Sequence, residues 1–474
     1  MSGAPRGRPE LVRGLSLAGA IAVNVANMIG AGVFLKSRVM TCNVGDAYTV
    51  LGVWLAAGLL ALAGTFCYAE VAALLPEAGG EYVFLRRAYG RFAGFLCGWG
   101  SATIIKPAAQ AALAVGFAIF ANVALGGGLE RDLAATTLFG AQLHLDGLTV
   151  VALAALWAVA AINCRSVATG GNTALALTLL KVLLLALVAG GAFLLARGSF
   201  AHLALADAGG RCEGVAASAR GGMAGFGAAM LGALWAYDGW NNVTPLAGEI
   251  KDPARNLPRA FTGGLLVVGA LYLAVNLSFF YVLTPTEIAS VPASSSVATV
   301  VAERFLGHGA VAFIAVALML SSFGSLQASL LTGARVPFAM ARDGLFFRAL
   351  GAVAPTTRVP VRATLAQAAW ASLLTLSGSY DTLTDASMFV SWVVFGLAAA
   401  TLFVFRRTLP DAPRPYRAFG YPLVPGLFVL VTLWLIGNTF VASPTLALGG
   451  VAMLLAGAPL YWWWSRGAPA VTPR

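Results

Sequence analysis

Long apolar runs alternate with short polar joints along the chain, and the length of the runs decides what they are. A helix that crosses a bilayer needs roughly 20 predominantly apolar residues. Runs of that kind occupy residues 15–35, 48–70, 92–122, 147–163, 171–196, 223–248, 261–284, 309–334, 363–379, 384–405, 424–441 and 445–464. Twelve spans are therefore predicted. Residues 418–465 carry no charge and are long enough for two helices, with Ala442-Ser443-Pro444 marking the turn between them.

Two of these runs are interrupted. In the sixth, Asp238 is the only charge between Arg220 and Glu249, and Gly239 follows it directly. An ionised Asp in hydrocarbon costs about 2.5–3.5 kcal/mol on insertion scales, so it is expected to face a cavity. Gly239 permits non-helical backbone there, which membrane proteins tolerate where protein or water satisfies it. In the first run, Gly30-Ala31-Gly32 places three small residues in a row. Breaks in the first and sixth spans point to a transporter built from inverted repeats, spans 1–5 and 6–10, with spans 11–12 added. The expected organisation is a cytoplasmic tail at 1–14, repeats at 15–196 and 223–405, helices 11–12 at 424–464 and a second tail at 465–474.

Composition agrees with the membrane class. The 474 residues are 59% hydrophobic and 10% charged, against about 25% charged in soluble domains, and mean hydropathy is +0.83. No cleavable signal peptide is expected, because the first run is long and no small-residue cleavage site ends it. The net charge of +11 would suit nucleic acid if the charges were clustered. They are sorted instead. Of 30 Lys and Arg, 21 fall on the side that holds both termini, 7 on the other, and Lys106 and Lys181 lie inside spans. That asymmetry predicts cytoplasmic termini and no nucleic-acid partner. The five Cys form no CxxC or metal spacing, and the expectation is that they pack in the interior. His144, His202 and His308 are scattered and form no catalytic motif, so no enzyme, metal or cofactor is expected.

The breaks suggest a site. The half-helix N-terminus after a break presents free N–H groups and a positive dipole end, which suits a carboxylate at Gly30-Ala31-Gly32. Freed carbonyls at Met28, Trp235 and Asp238 suit an α-ammonium. Together they describe a receptor for a zwitterionic amino acid. Helix-packing glycine is the plainer reading of the first break, and local ordering of a turn is the plainer reading of Asp238. Lys181 is the only charge from residue 166 to 196 and sits mid-span, where snorkelling to the interface is hard. It either titrates or pairs with carbonyls and hydroxyls. Lys106 precedes Pro107, which should kink span 3; it either serves the site or reaches for the interface.

These residues together resemble the amino acid–polyamine–organocation (APC) superfamily, and most closely bacterial members like its L-type amino acid transporter branch. The stretches that carry the resemblance are MIGAGVFL, AGGEYVFLRRAYGRFAGFLCGW, IIKPAAQ, INCRSV, AYDGWNNVTPLAGEIKDPARNLPRA and GSLQASLLTGARVPFAMARDG, in order through span 8. The resemblance implies an all-α membrane protein with a LeuT-like 5+5 inverted repeat of twelve helices, unwound in helices 1 and 6. It implies substrate contacts at Met28, Gly30, Ala31, Gly32, Trp235, Ala236, Asp238 and Gly239. Lys181 would stand in for a sodium ion, with Ser322 and Ser325 as candidate partners. Tyr272, Tyr237 and Lys106 would be gating or structural, and the charges of EIKDPARNLPRA would stabilise the inward-closed state.

The implied activity is sodium-independent transport of L-amino acids, in the bacterial inner membrane, by exchange. Proton symport, cationic amino acid or polyamine antiport, and a non-transporting sensor are the alternatives. An Asp at 238 implies cationic substrates in some members. The branch often has Arg where this chain has Lys106. No Cys occurs in the 123–146 loop, so no disulfide-linked heavy subunit is expected.

Overall fold

The computed structural model describes residues 13–466 apart from 31, 139–140, 166, 207–208, 293–294, 308–309, 378–379 and 443. Ala31, His308, Ser443 and nearly all of both tails thus lie outside the described residues.

The first apolar run is two helices. α1 (Leu17–Met28) starts where Ser16 accepts the Gly19 N–H, and α2 (Gly32–Val44) resumes after the break. α3 (Ala47–Leu74) is capped by Asp46. The amphipathic α4 (Glu81–Tyr89) lies between Gly80 and Gly90, both at positive φ. The third run is continuous from Arg91 to Ala124 but not uniform. α5 (Arg91–Gly100) passes through a π-helical segment, Ser101–Ile105, into α6 (Lys106–Ala124). Pro107 lacks an N–H and lies just past that segment, so the irregularity falls where proline disturbs the ladder.

The 123–146 loop departs from an all-helical expectation: β1 (Asp132–Leu138) and β2 (Ala141–Asp146) pair antiparallel outside the spans. α7 (Gly147–Asn163) is capped by Asp146, and α8 (Val167–Leu195) carries Lys181. The sixth run holds α9 (Gly222–Tyr237) and then leaves the helix, so the span expected over 223–248 is half the predicted length. Beyond it come α10 (Pro253–Val282), α11 (Pro285–Ala289), α12 (Val297–Leu306), α13 (Ala310–Gly333) and α14 (Arg335–Arg342). α15 (Val361–Ser377), α16 (Tyr380–Thr408), α17 (Leu423–Ala442), α18 (Pro444–Leu455) and α19 (Gly457–Ser465) complete the chain.

Among the described residues, nine helical segments are long and apolar enough to span a membrane, and Gly147–Asn163 and Gly222–Tyr237 are shorter apolar helices. The chain is a predominantly helical membrane protein, with the β1–β2 pair outside the spans. Burial ranks the segments: 83% of the most apolar window of Arg91–Ala124 is buried, against 28% for Leu423–Val441 and 11% for Ala447–Ser465. By this measure the most buried segments are those of α1–α2, α5–α6 and α13–α14, while α17 to α19 turn leucines such as Leu427, Leu430 and Leu448 outward. Outward leucine is what a helix facing lipid requires.

Candidate substrate site at two broken helices

The two breaks meet because glycine lets them. α1 stops at Met28; Ile29 leaves helical geometry at ψ 88°, and the Gly30 N–H turns back onto the Met28 carbonyl at 2.9 Å. α9 stops at Tyr237; Asp238 is extended at ψ 143° and Gly239 has φ 102°, a region that favours glycine. A Cβ on Gly239 would lie 2.7 Å from that of Asn27, and one on Gly32 would lie 2.9 Å from the Ala236 Cα. Both glycines are thus required by close approach of the other broken span.

A hydroxyl ties the breaks together. Tyr272 on α10 lies with its oxygen 2.8 Å from the Met28 carbonyl and 2.9 Å from the Ala236 carbonyl. One proton is shared between two acceptors that the breaks left without helical partners. Trp54 and Tyr237 pack edge-on and tilted around this tyrosine and hold its ring.

Lys181 rivets the first break from behind. Its Nζ donates to the Ala26 carbonyl (2.9 Å), the Ile29 carbonyl (2.6 Å) and Ser325 Oγ (2.7 Å). Three donors meet three oxygens, so the ammonium is saturated. It is 1% exposed. Gly324 gives it room, since a Cβ there would come within 2.8 Å of the Lys181 Cε. Ser325 also lies within 2.9 Å of the Ala26 carbonyl and 2.7 Å of the Ile29 carbonyl. Ser322 does not join them: its hydroxyl is buried with no hydrogen-bond partner among the described residues, and Ser321 reaches the Ile29 carbonyl instead at 3.5 Å. The reason is helical phase. Residues 321 and 325 lie about 40° apart around the helix, and residue 322 lies about 60° beyond residue 325, on the side away from residue 321.

Lys106 is 7% exposed, in the middle of a continuous helical segment, and does not reach for the interface. Its Nζ donates to Asn242 Oδ1, and Asn242 in turn donates to Asn27 Oδ1 at 3.3 Å. The neighbouring Asn241 donates to Glu81 at the start of α4. Lys106 interacts electrostatically with both Asp238 and Glu81.

A cavity of about 30 Å³ lies between the breaks, space for no more than a few waters. Met28, Gly30, Gly32, Trp235, Ala236 and Asp238 line it, with Lys106 and Asn242 opposite. Gly239 shapes the turn beside it and Lys181 stays outside the lining. Asn27, Asn242 and Glu81 are the polar residues that sequence reasoning missed. Paired asparagines inside an otherwise apolar run, as in Trp240-Asn241-Asn242, were the available signal.

Near the start of α1, the chain after the second break is held by buried charge. Arg335 and Glu249 are fully buried and paired through two hydrogen bonds, Nε to Oε1 at 2.8 Å and the second guanidinium nitrogen to Oε2 at 3.1 Å. Leu15 adds backbone bonds to Glu249 and Lys251, each 2.9 Å. Nearby, Asp343 accepts from Tyr82 and Arg86, and Glu77 accepts from Arg86 and Arg87. At the far end of α2, Cys42 and Cys212 pack in the interior as expected and in addition form a disulfide. Cys67, Cys97 and Cys164 are free.

The amino acid permease family model matches residues 15–463. The serine/threonine exchanger SteT of Bacillus subtilis is 32% identical over 95% of this chain and 97% of its own length. The large neutral amino acids transporter small subunit 2 of Mus musculus is 29% identical over 96% and 81%, and the human b(0,+)-type amino acid transporter 1 is 27% identical over 92% and 84%. With nearly its whole length matched, the chain belongs to the amino acid permease family of the APC superfamily, a family of membrane transporters and not of enzymes.

Proposed function

We propose that the chain is a sodium-independent exchanger of L-amino acids that works by alternating access. The observation that carries this reading is the environment of Lys181, an ammonium fixed between α8, the first break and Ser325. An ammonium there satisfies the freed carbonyls that would otherwise call for a transported cation. The exchanger among the relatives supports the same reading.

Substrate would bind with its α-carboxylate at the N–H groups opening α2, around Gly30, Ala31 and Gly32. Its α-ammonium would take the carbonyls of Met28, Trp235 and Asp238, with Trp235 closing over it. The Tyr272 hydroxyl meets the Met28 and Ala236 carbonyls, one from each break. The substrate side chain would then face Lys106, Asn242 and Asp238. Since the chain already places an ammonium beside Asp238, a neutral, hydrogen-bonding side chain fits better than a cationic one.

The architecture that accompanies this reading is a LeuT-like 5+5 repeat of twelve spans: the nine long segments, the two shorter apolar helices and α15. The termini would be cytoplasmic and the membrane a bacterial inner membrane. The disulfide supports this orientation, because Cys42 and Cys212 lie on the face poor in Lys and Arg, and disulfides persist in oxidising compartments.

The test is uptake of radiolabelled serine, alanine, leucine and arginine into sodium-free proteoliposomes, with and without unlabelled amino acid inside. Uptake that requires internal amino acid is the expected result. Uptake into empty vesicles that rises with an inward proton gradient would replace exchange by proton symport. Saturable binding without flux would make the chain a sensor.

A further inference from the structure

Cys42 stands two residues from the end of α2, a half-helix of 13 residues that starts at the cavity and runs about 20 Å. Its sulfur is bonded to Cys212, 170 residues on, in a strap formed by residues 209–221 ahead of α9. The strap grips the end of α2. Arg38 donates to the Glu213 carbonyl at 2.6 Å, the Asn43 amide to the Ala219 carbonyl at 2.6 Å, and the Gly221 N–H to the Asn43 carbonyl at 2.7 Å. Its other edge rests on α11. The Cys212 N–H donates to the Ala289 carbonyl at 3.1 Å, and the Arg211 N–H donates to Ser290 Oγ at 3.3 Å.

Cys212 is therefore the point where α2, the strap and α11 meet. Its backbone has φ 46°, a conformation that L side chains other than Asn and Asp seldom keep without a constraint. Arg220 folds back to the Cys212 carbonyl at 3.0 Å, and Gly222 then starts α9, the helix that ends at the second break. The two half-helices that enter the cavity from this face are thus joined at their outer ends. A cavity of about 540 Å³, lined by Cys42, Asp46, Cys212 and Arg220 among others, lies against the joint, where Cys42 is 6% and Cys212 5% exposed.

We propose that the Cys42–Cys212 disulfide is a redox-controlled staple that makes α2, the strap and α11 move as one body during the transport cycle. This rests on the alternating-access reading above. A dithiol reductant opens it in two steps. Its thiolate attacks one sulfur and expels the other as a thiolate, which takes a proton. The reductant's second thiolate then closes its own disulfide and releases the first cysteine. Two electrons pass to the cysteines, and the reductant is oxidised. Freed, Cys212 can leave its left-handed conformation, and the strap can part from α2.

The experiment uses the full chain in proteoliposomes, with and without dithiothreitol, followed by a membrane-impermeant maleimide that reports by mass how many thiols were released. Reduction is expected to lower exchange turnover about tenfold while KM changes by less than about twofold. Amide hydrogen exchange should quicken in residues 32–44 and 285–289 as well as in the strap. The double substitution Cys42→Ser/Cys212→Ser should reproduce the slow turnover and abolish the response to dithiothreitol; if it does not fold, the reduced wild-type protein decides. Complete labelling with unchanged turnover, or faster hydrogen exchange confined to residues 209–221, overturns the staple. If the untreated protein exchanges no amino acid, the proposed function fails, and the hydrogen-exchange arm still decides whether the staple couples the three elements.

Discussion

Lys106 and Lys181 are both buried beside the breaks, and their surroundings differ. Lys181 meets three neutral oxygens and forms no ion pair among the described residues. Lys106 lines the cavity, has one asparagine oxygen as its hydrogen-bond partner among the described residues, and feels two carboxylates, Asp238 and Glu81. A saturated ammonium is fixed in place, and its charge acts on the backbone around it. An ammonium with donors to spare, at a cavity wall, acts on whatever enters the cavity. The same side chain is therefore assigned to the frame of the site in one case and to its selectivity in the other.

The division predicts unequal losses. Lys181→Ala should abolish exchange, by about 100-fold or more, with protein that still elutes as a single species. The lone proton of Ser325 can serve only one of the Ala26 and Ile29 carbonyls, and each buried acceptor left unpaired costs about 1–3 kcal/mol. The first break then loses the geometry that substrate needs. Initial exchange rates per reconstituted protein check this. A variant that exchanges normally would remove Lys181 from the mechanism.

Tyr272→Phe should cost less, about tenfold in kcat/KM. It deletes the hydroxyl between the breaks and keeps the ring against Trp54 and Tyr237. Loss of one shared hydrogen bond of about 1 kcal/mol, plus looser breaks, sets that scale. If Tyr272→Phe and Lys181→Ala fail equally, the two ties act as one unit, and the double variant will be no worse than either.

How legible these parts were in the sequence follows from how local their causes are. The breaks were legible because glycine answers a local demand: positive φ at Gly239 and close approach at Gly32. Lys181 stood out because a charge inside a long apolar run must be compensated somewhere. What stayed hidden depends on partners far along the chain. Nothing near Cys42 names Cys212 as its partner, 170 residues away. Glu81 reads as one more charge in a polar loop until Asn241 reaches it. Ser325 and Ser322 are equal candidates by composition, and only the phase of α13 separates them. The pairing of β1 with β2 stayed hidden because these residues lie between spans and carry no long apolar run.

The smallest expected effect is the most specific. Lys106→Gln keeps a donor for Asn242 and removes the charge from the cavity wall, so Asp238 faces the substrate without a neighbouring ammonium. The ratio of arginine to serine exchange should rise about fivefold, through arginine gaining more than through serine losing. Asp238→Asn should move the ratio the other way, because the cavity then holds an ammonium without its nearby acid. The readout is competition by unlabelled arginine and serine against one labelled substrate, which cancels differences in reconstitution. If both variants slow serine and arginine by the same factor, Asp238 orders the turn before Gly239 and Lys106 braces Asn242. The contrast between the two lysines would then reduce to two structural rivets, one at each break.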